Sequence, residues 1–229
     1  GLVGQSDGAI MQSYATGAAS ANGGVGGAGS AGGYGAMAGT GGKGGVAGGV
    51  VGVSAGAISL SYATGAVSAS GGAPGAGSGN PAAGAAGVAG GLVGEAALGT
   101  IETSYWDRYA TGQAQGVGSN TGATVTSLVG LTSDAAQWAA SDYFYKASAW
   151  SLFTSGGASD IDTVGGLALT WRMYDGLTGP LLKVFLQPGT VAVSVGDATL
   201  TYNGVVQSAT STVTAPGGVD TSKIFSGGK

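Results

Sequence analysis

Few residues of this chain are of a type that could do chemistry, and they are scattered. The 229 residues include no Cys and no His, with 7 Lys and Arg against 11 Asp and Glu. Without Cys there is neither a thiolate nor a disulfide framework, and without His the commonest general base and metal ligand are missing. What remains is the chemistry of carboxylates, which act as acid–base pairs or as ligands of hard cations.

The carboxylates that lie nearest to each other in the sequence are Asp160 and Asp162, on either side of Ile161. A Ca²⁺ ion needs roughly six to eight oxygen ligands, so this pair does not make a calcium site by itself, and a solvated turn is the expected structure. Asp107, beside Arg108, is predicted to form a local ion pair or a hydrogen bond at a strand end. Asp175-Gly176 is interpreted as a turn.

The sequence predicts no enzyme. Polysaccharide lyases and hydrolases on parallel β scaffolds need paired carboxylates or a basic cluster on one face, but up to Gly94 the only charged residues are Asp7 and Lys43. The Ser-Tyr-Ala-Thr-Gly motif is not a nucleophile elbow and has no His partner, and the Gly-x-Gly strings follow no βαβ pattern. We therefore predict no catalytic residue, no metal and no cofactor, with a polysaccharide-active β-helix enzyme as a remote alternative.

Charge and composition exclude further classes of protein. A net charge of −4 with 7 basic residues argues against nucleic-acid binding, which needs a basic surface. The uncharged stretch 44–94 is too rich in Gly, Ser, Asn and Pro for a membrane span. No initiator Met, charged leader or cleavage site is visible, so we expect a piece of a longer chain.

One motif organises the rest of the sequence. Ser-Tyr-Ala-Thr-Gly occurs unaltered at 13–17 and again at 61–65. Each copy follows a Gly-apolar-Val-Gly start at the same distance, and a third start at Gly91 leads to Ser104-Tyr105-Trp106-Asp107. Self-similarity of this kind is the signature of a repeat architecture, in which units bury their faces by stacking on each other.

The repeats predict a parallel β-solenoid over residues 1–130. Equivalent residues of stacked units lie above one another, so we expect an inward ladder of isoleucines and a second stack of tyrosines. The isoleucines are Ile10, Ile58 and Ile101, and the tyrosines are Tyr14, Tyr62 and Tyr105. An antiparallel sandwich with coincidental similarity is the alternative.

Two glycine-rich inserts, 21–49 and 71–91, separate the motifs. A structureless loop of this length inside a compact domain is unusual. Three structures are open to the inserts: a second coil of the solenoid, extended polyglycine-like segments packed side by side, or a flexible linker.

Residues 131–187 are predicted to cap the solenoid. A capping-box-like Asp134 and Gln137 predict a helix of a few turns over 134–141. The aromatic cluster expected to plug the solenoid end consists of Trp138, Tyr143, Phe144, Tyr145, Trp150 and Phe153. Strands are predicted at 171–174 and 181–186.

Residues 188–229 are predicted to begin a small β module. Val191, Val193 and Val195 alternate with small residues, and Asn203-Gly204 between two apolar runs predicts a hairpin.

At these residues the chain resembles a known family. Gly-Leu-Val-Gly, then Ile, then Ser-Tyr-Ala-Thr-Gly is similar to the GLUG repeat of large bacterial surface adhesins, the filamentous-haemagglutinin-like exoproteins. Residues 104–107 with Thr111-Gly112-Gln113, the later Trp150 and Pro180-Leu181-Leu182 resemble the end of such an array, and 199–207 resembles the opening of a YDG or MBG-type β module. The resemblance implies a secreted, right-handed β-solenoid at the cell surface.

Two non-catalytic functions remain open. The resemblance favours a structural or adhesive segment of a secreted bacterial surface protein, with a host or cell-surface glycan or protein as partner. The almost uncharged glycine-rich surface favours a self-assembling subunit of an extracellular filament, sheath or biofilm matrix, because unpaired strand edges invite association. The partner that the residues themselves predict is another copy of the chain.

Overall fold

The computed structural model describes residues 1–29, 37–155 and 157–186, and the backbone of the strands Thr190–Ser194 and Thr210–Thr214. These residues form an all-β structure of short strands, many of them in parallel pairs. The chain begins with four units: unit one (1–48), unit two (49–90), unit three (91–114) and unit four (115–131). No helix in the described ranges is long and apolar enough to cross a membrane.

The strands of the units are named in chain order. Unit one holds β1 (Val3–Ser6), β2 (Ile10–Met11), β3 (Tyr14–Ala15), β4 (Ala19–Ser20) and β5 (Val46–Gly48). Unit two holds β6 (Val51–Ser54), β7 (Ile58–Ser59), β8 (Tyr62–Ala63), β9 (Val67–Ser68) and β10 (Val88–Gly90). Unit three holds β11 (Val93–Ala96), β12 (Thr100–Ile101), β13 (Ser104–Asp107) and the one-turn helix α1 (Arg108–Thr111), and unit four holds β14 (Val117–Asn120), β15 (Thr124–Val125) and β16 (Leu128–Leu131).

Three parallel sheets are each built from one strand of every unit, in the orders β1-β6-β11-β14, β2-β7-β12-β15 and β3-β8-β13-β16. In the second sheet Ile58 pairs with both Ile10 and Ile101, and in the third Tyr62 pairs with both Tyr14 and Tyr105. Both predicted ladders are confirmed, and the antiparallel alternative is wrong for these strands. Two further parallel pairs, β4 with β9 and β5 with β10, join units one and two.

Unit four is not evident from the sequence as a repeat of its own; the residues suggest only a short strand over 127–131. Its Val117, Val125 and Val129 continue the three sheets beside Val93, Ile101 and Tyr105. The chain reaches it after a shorter stretch than separates the earlier units, because no glycine-rich insert lies between units three and four. Val125 and Val129 stand where the earlier units have isoleucine and tyrosine, so a search for identical motifs does not find this unit.

The units pack around an apolar interior. Ile58, Leu92 and Ile101 are fully or almost fully buried there, with Val51, Val93 and Trp106. A left-handed corner recurs in units one to three, at Gln12, Leu60 and Thr103, with φ of 45°, 48° and 44°. The serine that follows each corner donates its hydroxyl to the carbonyl two residues back, at 2.8 Å, which fixes the turn into the tyrosine strand.

The described part of 131–186 forms five short strands and three single 3₁₀ turns. The strands are β17 (Thr154–Ser155), β18 (Ala158–Ser159), β19 (Ile161–Asp162), β20 (Trp171–Arg172) and β21 (Leu181–Leu182). The turns are Ala135–Gln137, Ala147–Trp150 and Lys183–Phe185. Strands β17 and β18 are antiparallel, while β20 pairs in parallel with β19 and antiparallel with β21.

Several predictions for this region are wrong in detail. The expected helix over 134–141 is a single 3₁₀ turn, in which the Asp134 side chain accepts from Ala136 N–H instead of forming the box with Gln137. Trp138 lies outside the aromatic cluster and is 68% exposed. The strand expected at 181–186 ends at Leu182, where a 3₁₀ turn begins.

The aromatic cluster is not an end plug; it packs along the tyrosine side of the stack. Trp171 contacts Tyr14 of unit one, while Trp150 contacts Tyr62 of unit two and Tyr105 of unit three. On unit four Val125 and Val129 stay 40% and 37% exposed. The aromatics therefore tie successive units together from the side.

Strands β22 (Thr190–Ser194) and β23 (Thr210–Thr214) form an antiparallel pair. The predicted strand residues Val191 and Val193 lie in it, opposite Val213 and Ser211. The predicted turn at Asn203-Gly204 and Val195 lie outside the described residues.

Candidate functional site

Asp162 is the most deeply engaged ionisable side chain. Its carboxylate is fully buried and lies 3.2 Å from both the Arg172 guanidinium and the Lys183 ammonium. Three backbone N–H groups also donate to it, from Val164 at 3.1 Å, Gly165 at 2.6 Å and Leu167 at 3.3 Å. The expected solvated turn is wrong, because the loop after β19 folds around the carboxylate and removes it from water.

Burial raises the pKa of Asp162, but the hydrogen bonds from Gly165, Lys183 and Val164 and the charge of Arg172 outweigh it and hold the pKa below its ordinary value of 3.8. The neighbouring Asp160 is also buried and accepts from Thr170 N–H at 2.9 Å. The surroundings of Asp162 favour its charged form and occupy both of its oxygens with donors, which suits a structural role better than that of a general acid.

Asp107 has a local structural role as well. Its carboxylate caps helix α1 by accepting from Tyr109 and Ala110 N–H, and it also accepts from Ser133 N–H at 3.1 Å. Of the two predicted roles, the strand-end hydrogen bond is confirmed and the local ion pair is wrong, because Arg108 pairs with Asp142 instead. Asp175-Gly176 is a turn as predicted, with φ of 80° at the glycine.

Across the described ranges, no group of three or more Asp or Glu side chains lies close enough together to hold a metal ion. A partner protein or glycan would meet the molecule at its surfaces. Three of them are distinctive: the glycine-rich inserts, the tyrosine side and the open face of unit one.

The glycine-rich inserts pack side by side as four segments, 21–29, 38–45, 69–76 and 82–88, here called the glycine bundle. Hydrogen bonds from 21–29 to 69–76 recur at every third residue: Gly23, Gly26 and Gly29 donate to Ser70, Ala73 and Ala76 at 2.8–2.9 Å. A period of three is that of a polyproline II helix, which makes no hydrogen bonds within itself and needs neighbours to satisfy its backbone. Side-by-side packing is thus confirmed among the three predicted structures of the inserts.

Each of the four segments forms hydrogen bonds with at least two others, and both parallel and antiparallel pairs of segments occur. Segment 38–45 runs antiparallel to 21–29, with Gly42 N–H donating to Gly24 at 2.8 Å. It runs parallel to 82–88, with Gly44 N–H donating to Ala85 at 3.0 Å. Segment 69–76 in turn donates to 38–45 from Gly72 at 2.7 Å, so 38–45 and 69–76 form the shared centre.

Close approach of backbones explains the glycines. A Cβ added to Gly23, Gly41, Gly72 or Gly84 would fall within 2.7 Å of backbone atoms of a neighbouring segment. Rotation of a side chain cannot relieve such a contact, because the Cβ is fixed to its own backbone and the atoms that it meets are backbone atoms of the neighbour. The bundle therefore has no room for a side chain at these four positions.

The outer surface of the bundle is small and almost uncharged. Lys43 is the only charged residue in its four segments. Ser70 donates to the side chain of Asn22 at 2.8 Å, and the three-residue period then places Val25 beside Ala73. Val25 is 74% exposed, and Ala28, Ala73 and Ala76 are exposed as well.

The tyrosine side is occupied from within the chain. The rings of Tyr14 and Tyr62 stack with centroids 5.2 Å apart and planes 8° apart. Tyr62 donates its hydroxyl to the carbonyl of Pro180 at 2.6 Å, and Tyr105 accepts from Leu152 N–H at 2.7 Å. Burial raises the pKa of Tyr62 above its ordinary value of 10.0, and Tyr14 adds to the effect. This side anchors residues 131–186 and is not free for a ligand.

The open face of unit one is the side that points away from unit two. A shallow cleft of about 220 Å³ lies beside β1, lined by residues 1–4, 19–20 and 46–48 of unit one and by Gly52 of unit two. Leu2 and Met11 are 53% and 59% exposed on unit one, whereas Val50 of unit two is fully buried. Among the described strands, β1, β2 and β3 each pair on one side only.

Comparison with known proteins adds no relative: no family model, no curated protein and no solved structure matches this chain.

Proposed function

We propose that this chain is a non-catalytic structural and adhesive segment of a secreted bacterial surface protein, built as a right-handed parallel β-solenoid with a glycine bundle at its side. The observation that carries the proposal is the in-register stacking of the units in three parallel sheets. Stacked units advance by about 4.8 Å each, so the architecture suits a stiff element that holds a surface at a distance. The sequence resemblance to GLUG repeats supports the extracellular setting.

The chemistry of the surfaces favours contact over catalysis. Asp107 and Asp162 are both saturated with hydrogen bonds and buried. The glycine bundle offers a stiff face of Val25 and alanines that loses little side-chain entropy when it meets another surface. With Lys43 as its sole charge, this face has little hydration to lose and suits a neutral protein or glycan partner.

A second candidate is a self-assembling subunit of a filament, sheath or matrix. It is favoured by the open face of unit one, where three sheets end in edge strands. Edge strands are templates for pairing with another chain. The two candidates differ in whether copies of the chain bind each other or a foreign surface.

Bead adhesion tests the first candidate. Beads that carry the full chain are flowed over immobilised glycoprotein, a glycan array and bare glass, and retention is compared with a Val25→Asp, Ala73→Asp variant. Two buried charges would oppose contact at the bundle face, so we expect retention to fall at least about tenfold. Leu98→Asp, which charges a 61% exposed site outside the bundle, is the matched control and should retain the beads.

The outcomes separate the candidates. Equal retention of both variants, or no retention on any surface, contradicts an adhesive bundle. Long regular fibres of the isolated chain in negative stain favour the assembly subunit. Turnover of a glycan that is lost on Asp107→Asn would contradict both.

A further inference from the structure

Within the part of the chain that the structure describes, five glycines of unit one have no structural reason to be glycine. At Gly4, Gly8, Gly17, Gly24 and Gly27 an added Cβ would meet nothing within 4 Å. None of the five has a positive φ in the range that favours glycine. Among the glycines whose surroundings are described, no others combine open space with an ordinary backbone conformation.

The counterparts of these five glycines occupy the equivalent positions of unit two and are tightly packed. They are Gly52, Gly56, Gly65, Gly72 and Gly75. A Cβ on any of them would fall within 2.5 Å of the carbonyl oxygen of its own counterpart in unit one. Glycine at these positions therefore lets the backbone of the preceding unit approach.

The same relation is repeated one unit further on. A Cβ on Gly94 would lie 2.6 Å from the carbonyl oxygen of Gly52, and one on Gly99 would clash with that of Gly56. In the glycine bundle, Gly84 and Gly87 meet the carbonyls of Gly42 and Gly45 in the same way. The contact between a glycine and the carbonyl oxygen of the preceding unit thus recurs along the stack. In unit one the glycines are present, but no carbonyl oxygens of a preceding unit lie against them.

Hydrogen-bond donors follow the same direction. Ala55, Tyr62 and Thr64 of unit two donate their N–H groups to Ser6, Ser13 and Ala15 of unit one, at 2.8–3.0 Å. The residues at the equivalent positions of unit one are Asp7, Tyr14 and Thr16. By the same geometry their N–H groups are directed away from unit two, to the side on which the five glycines are open.

We propose that the open face of unit one is a docking surface for one more unit of the same type, stacked in parallel as unit one stacks on unit two. The five glycines extend from β1 through Gly17 to segment 21–29 of the bundle, so the occupant must have both a β part and a glycine-rich part. The carbonyl oxygens of the occupant's own glycines lie against the five glycines. Its carbonyls at the positions equivalent to Ser6, Ser13 and Ala15 accept the outward N–H groups of unit one.

The far end of a second copy does not fit this description. Unit four follows unit three directly and has no glycine-rich part, so it offers nothing to Gly24 and Gly27. A unit of the kind formed by residues 1–48 offers carbonyls at all five positions. The surface holds for this occupant whether or not the chain adheres to anything, so the inference goes beyond the proposed function.

The test is a tandem chain in which a second copy of residues 1–48 directly precedes Gly1 of the full protein. Backbone hydrogen exchange is measured for the amides of Asp7, Tyr14 and Thr16 in the original unit one. Stacking of the added copy should slow their exchange by roughly 100-fold relative to the unextended protein, since an opening of the stack then precedes exchange.

The substitution Gly24→Ala can be made in either copy of residues 1–48, so the test and its control carry the same change at two different places. Placed in the original unit one of the tandem chain, it should abolish the added protection, because its Cβ would meet the carbonyl of Gly24 in the added copy. Placed in the added copy, or in the unextended protein, it faces open space and should leave exchange unchanged.

Unchanged exchange of the three amides on tandem addition overturns the proposal, as does equal behaviour of Gly24→Ala at the two places. Concentration-dependent association of the unextended protein that is lost on Gly17→Ala with Gly24→Ala would make a second molecule the occupant and overturn the one assigned here. Failure of bead adhesion affects none of these readouts, so the two proposals fail separately.

Discussion

In the β parts of the units, neighbours are held together by apolar side chains as well as by the sheets. In the glycine bundle they are held mainly by backbone hydrogen bonds, with the Asn22 side chain, which accepts from Ser70, as an addition. Ile58 lies between Ile10 and Ile101 and is fully buried, so its stability derives from apolar area removed from water. Gly72 lies against Gly24 and Gly42 and contributes hydrogen bonds and close contact without a side chain. The same units are thus stacked by two different interactions.

The difference predicts opposite responses to a change in side-chain size. The β part should lose stability when an atom is removed, because a cavity forms where close packing existed. The bundle should lose stability when an atom is added, because two backbones already touch. The variants below test this contrast, from the largest expected effect to the smallest.

Ile58→Ala should have the largest effect. Loss of a fully buried side chain from the middle of the isoleucine ladder is expected to lower the free energy of unfolding by about 2–5 kcal/mol. Urea unfolding measures this. Leu98→Ala, at a 61% exposed site, is the control and should change stability by less than about 0.5 kcal/mol. Similar losses for both variants would mean that the ladder is not a packed core.

Asp162→Asn extends the comparison to charge, which the glycine bundle lacks apart from Lys43. It removes the negative partner of Arg172 and Lys183 and should cost about 1.5–3 kcal/mol at neutral pH. Because the folded pKa is lowered, the stability from this carboxylate is present above the unfolded pKa of 3.8 and is lost as pH falls through the folded value.

Urea midpoints at about pH 6 and about pH 3 check this sign. The parent protein should lose more stability on acidification than Asp162→Asn does. After correction for the intrinsic effect of pH on exchange, amide exchange in residues 161–183 should rise at acid pH while that of Gly42 and Gly45 in the bundle stays constant. Parallel acid loosening of both regions would contradict the contrast in charge.

Gly72→Ala tests the bundle directly. Its Cβ would overlap the carbonyl of Gly24, and we expect a loss of about 1–3 kcal/mol from overpacking. Gly24→Ala, the same change at the equivalent position of unit one, faces open space and should be neutral or stabilise by about 0.4–1 kcal/mol through the unfolded state. Equal effects of the two changes would show that the bundle is not packed backbone to backbone.

The sequence predicted the ladders because identity of motif reveals stacking: Tyr14 and Tyr62 lie in identical motifs at one offset. It did not predict unit four, where Val125 and Val129 keep only the apolar character of the motif. For the glycine bundle, the spacing of Gly23, Gly26 and Gly29 fits a three-residue turn, but composition cannot say which segment is the neighbour. The neighbours are selected by backbone hydrogen bonds between glycines, and glycines carry no side chain whose type could reveal the pairing.

The roles of Asp162 and Trp138 could not be predicted from the sequence for a different reason. Asp162 looked like part of a solvated turn because its partners, Arg172 and Lys183, lie well beyond the local sequence. Trp138 is grouped by sequence with the other aromatic residues of 138–153, but it follows a single 3₁₀ turn and stays exposed. In both cases tertiary contacts decided the role of a residue whose local sequence was ambiguous.

Tyr62→Phe should have the smallest effect, and it separates packing from hydrogen bonding in the β part. The ring keeps its stack on Tyr14 and its contact with Trp150, while the hydrogen bond to Pro180 is lost, so the expected cost is about 1 kcal/mol.

The raised pKa of Tyr62 adds a second signature, which is the pH dependence of stability. A tyrosine that stays protonated in the folded state contributes stability that is complete below its unfolded pKa of 10.0 and falls as the pH rises above it. From about pH 9 to about pH 11 the parent should therefore lose more stability than Tyr62→Phe, with the remaining slope owed in part to Tyr105, whose pKa burial also raises. The exchange of Gly42 and Gly45 amides, corrected for the intrinsic effect of pH, should not follow this loss while the protein remains folded. If the two proteins had the same alkaline slope, Tyr62 would be open to water, and the tyrosine side would not be the seat of residues 131–186.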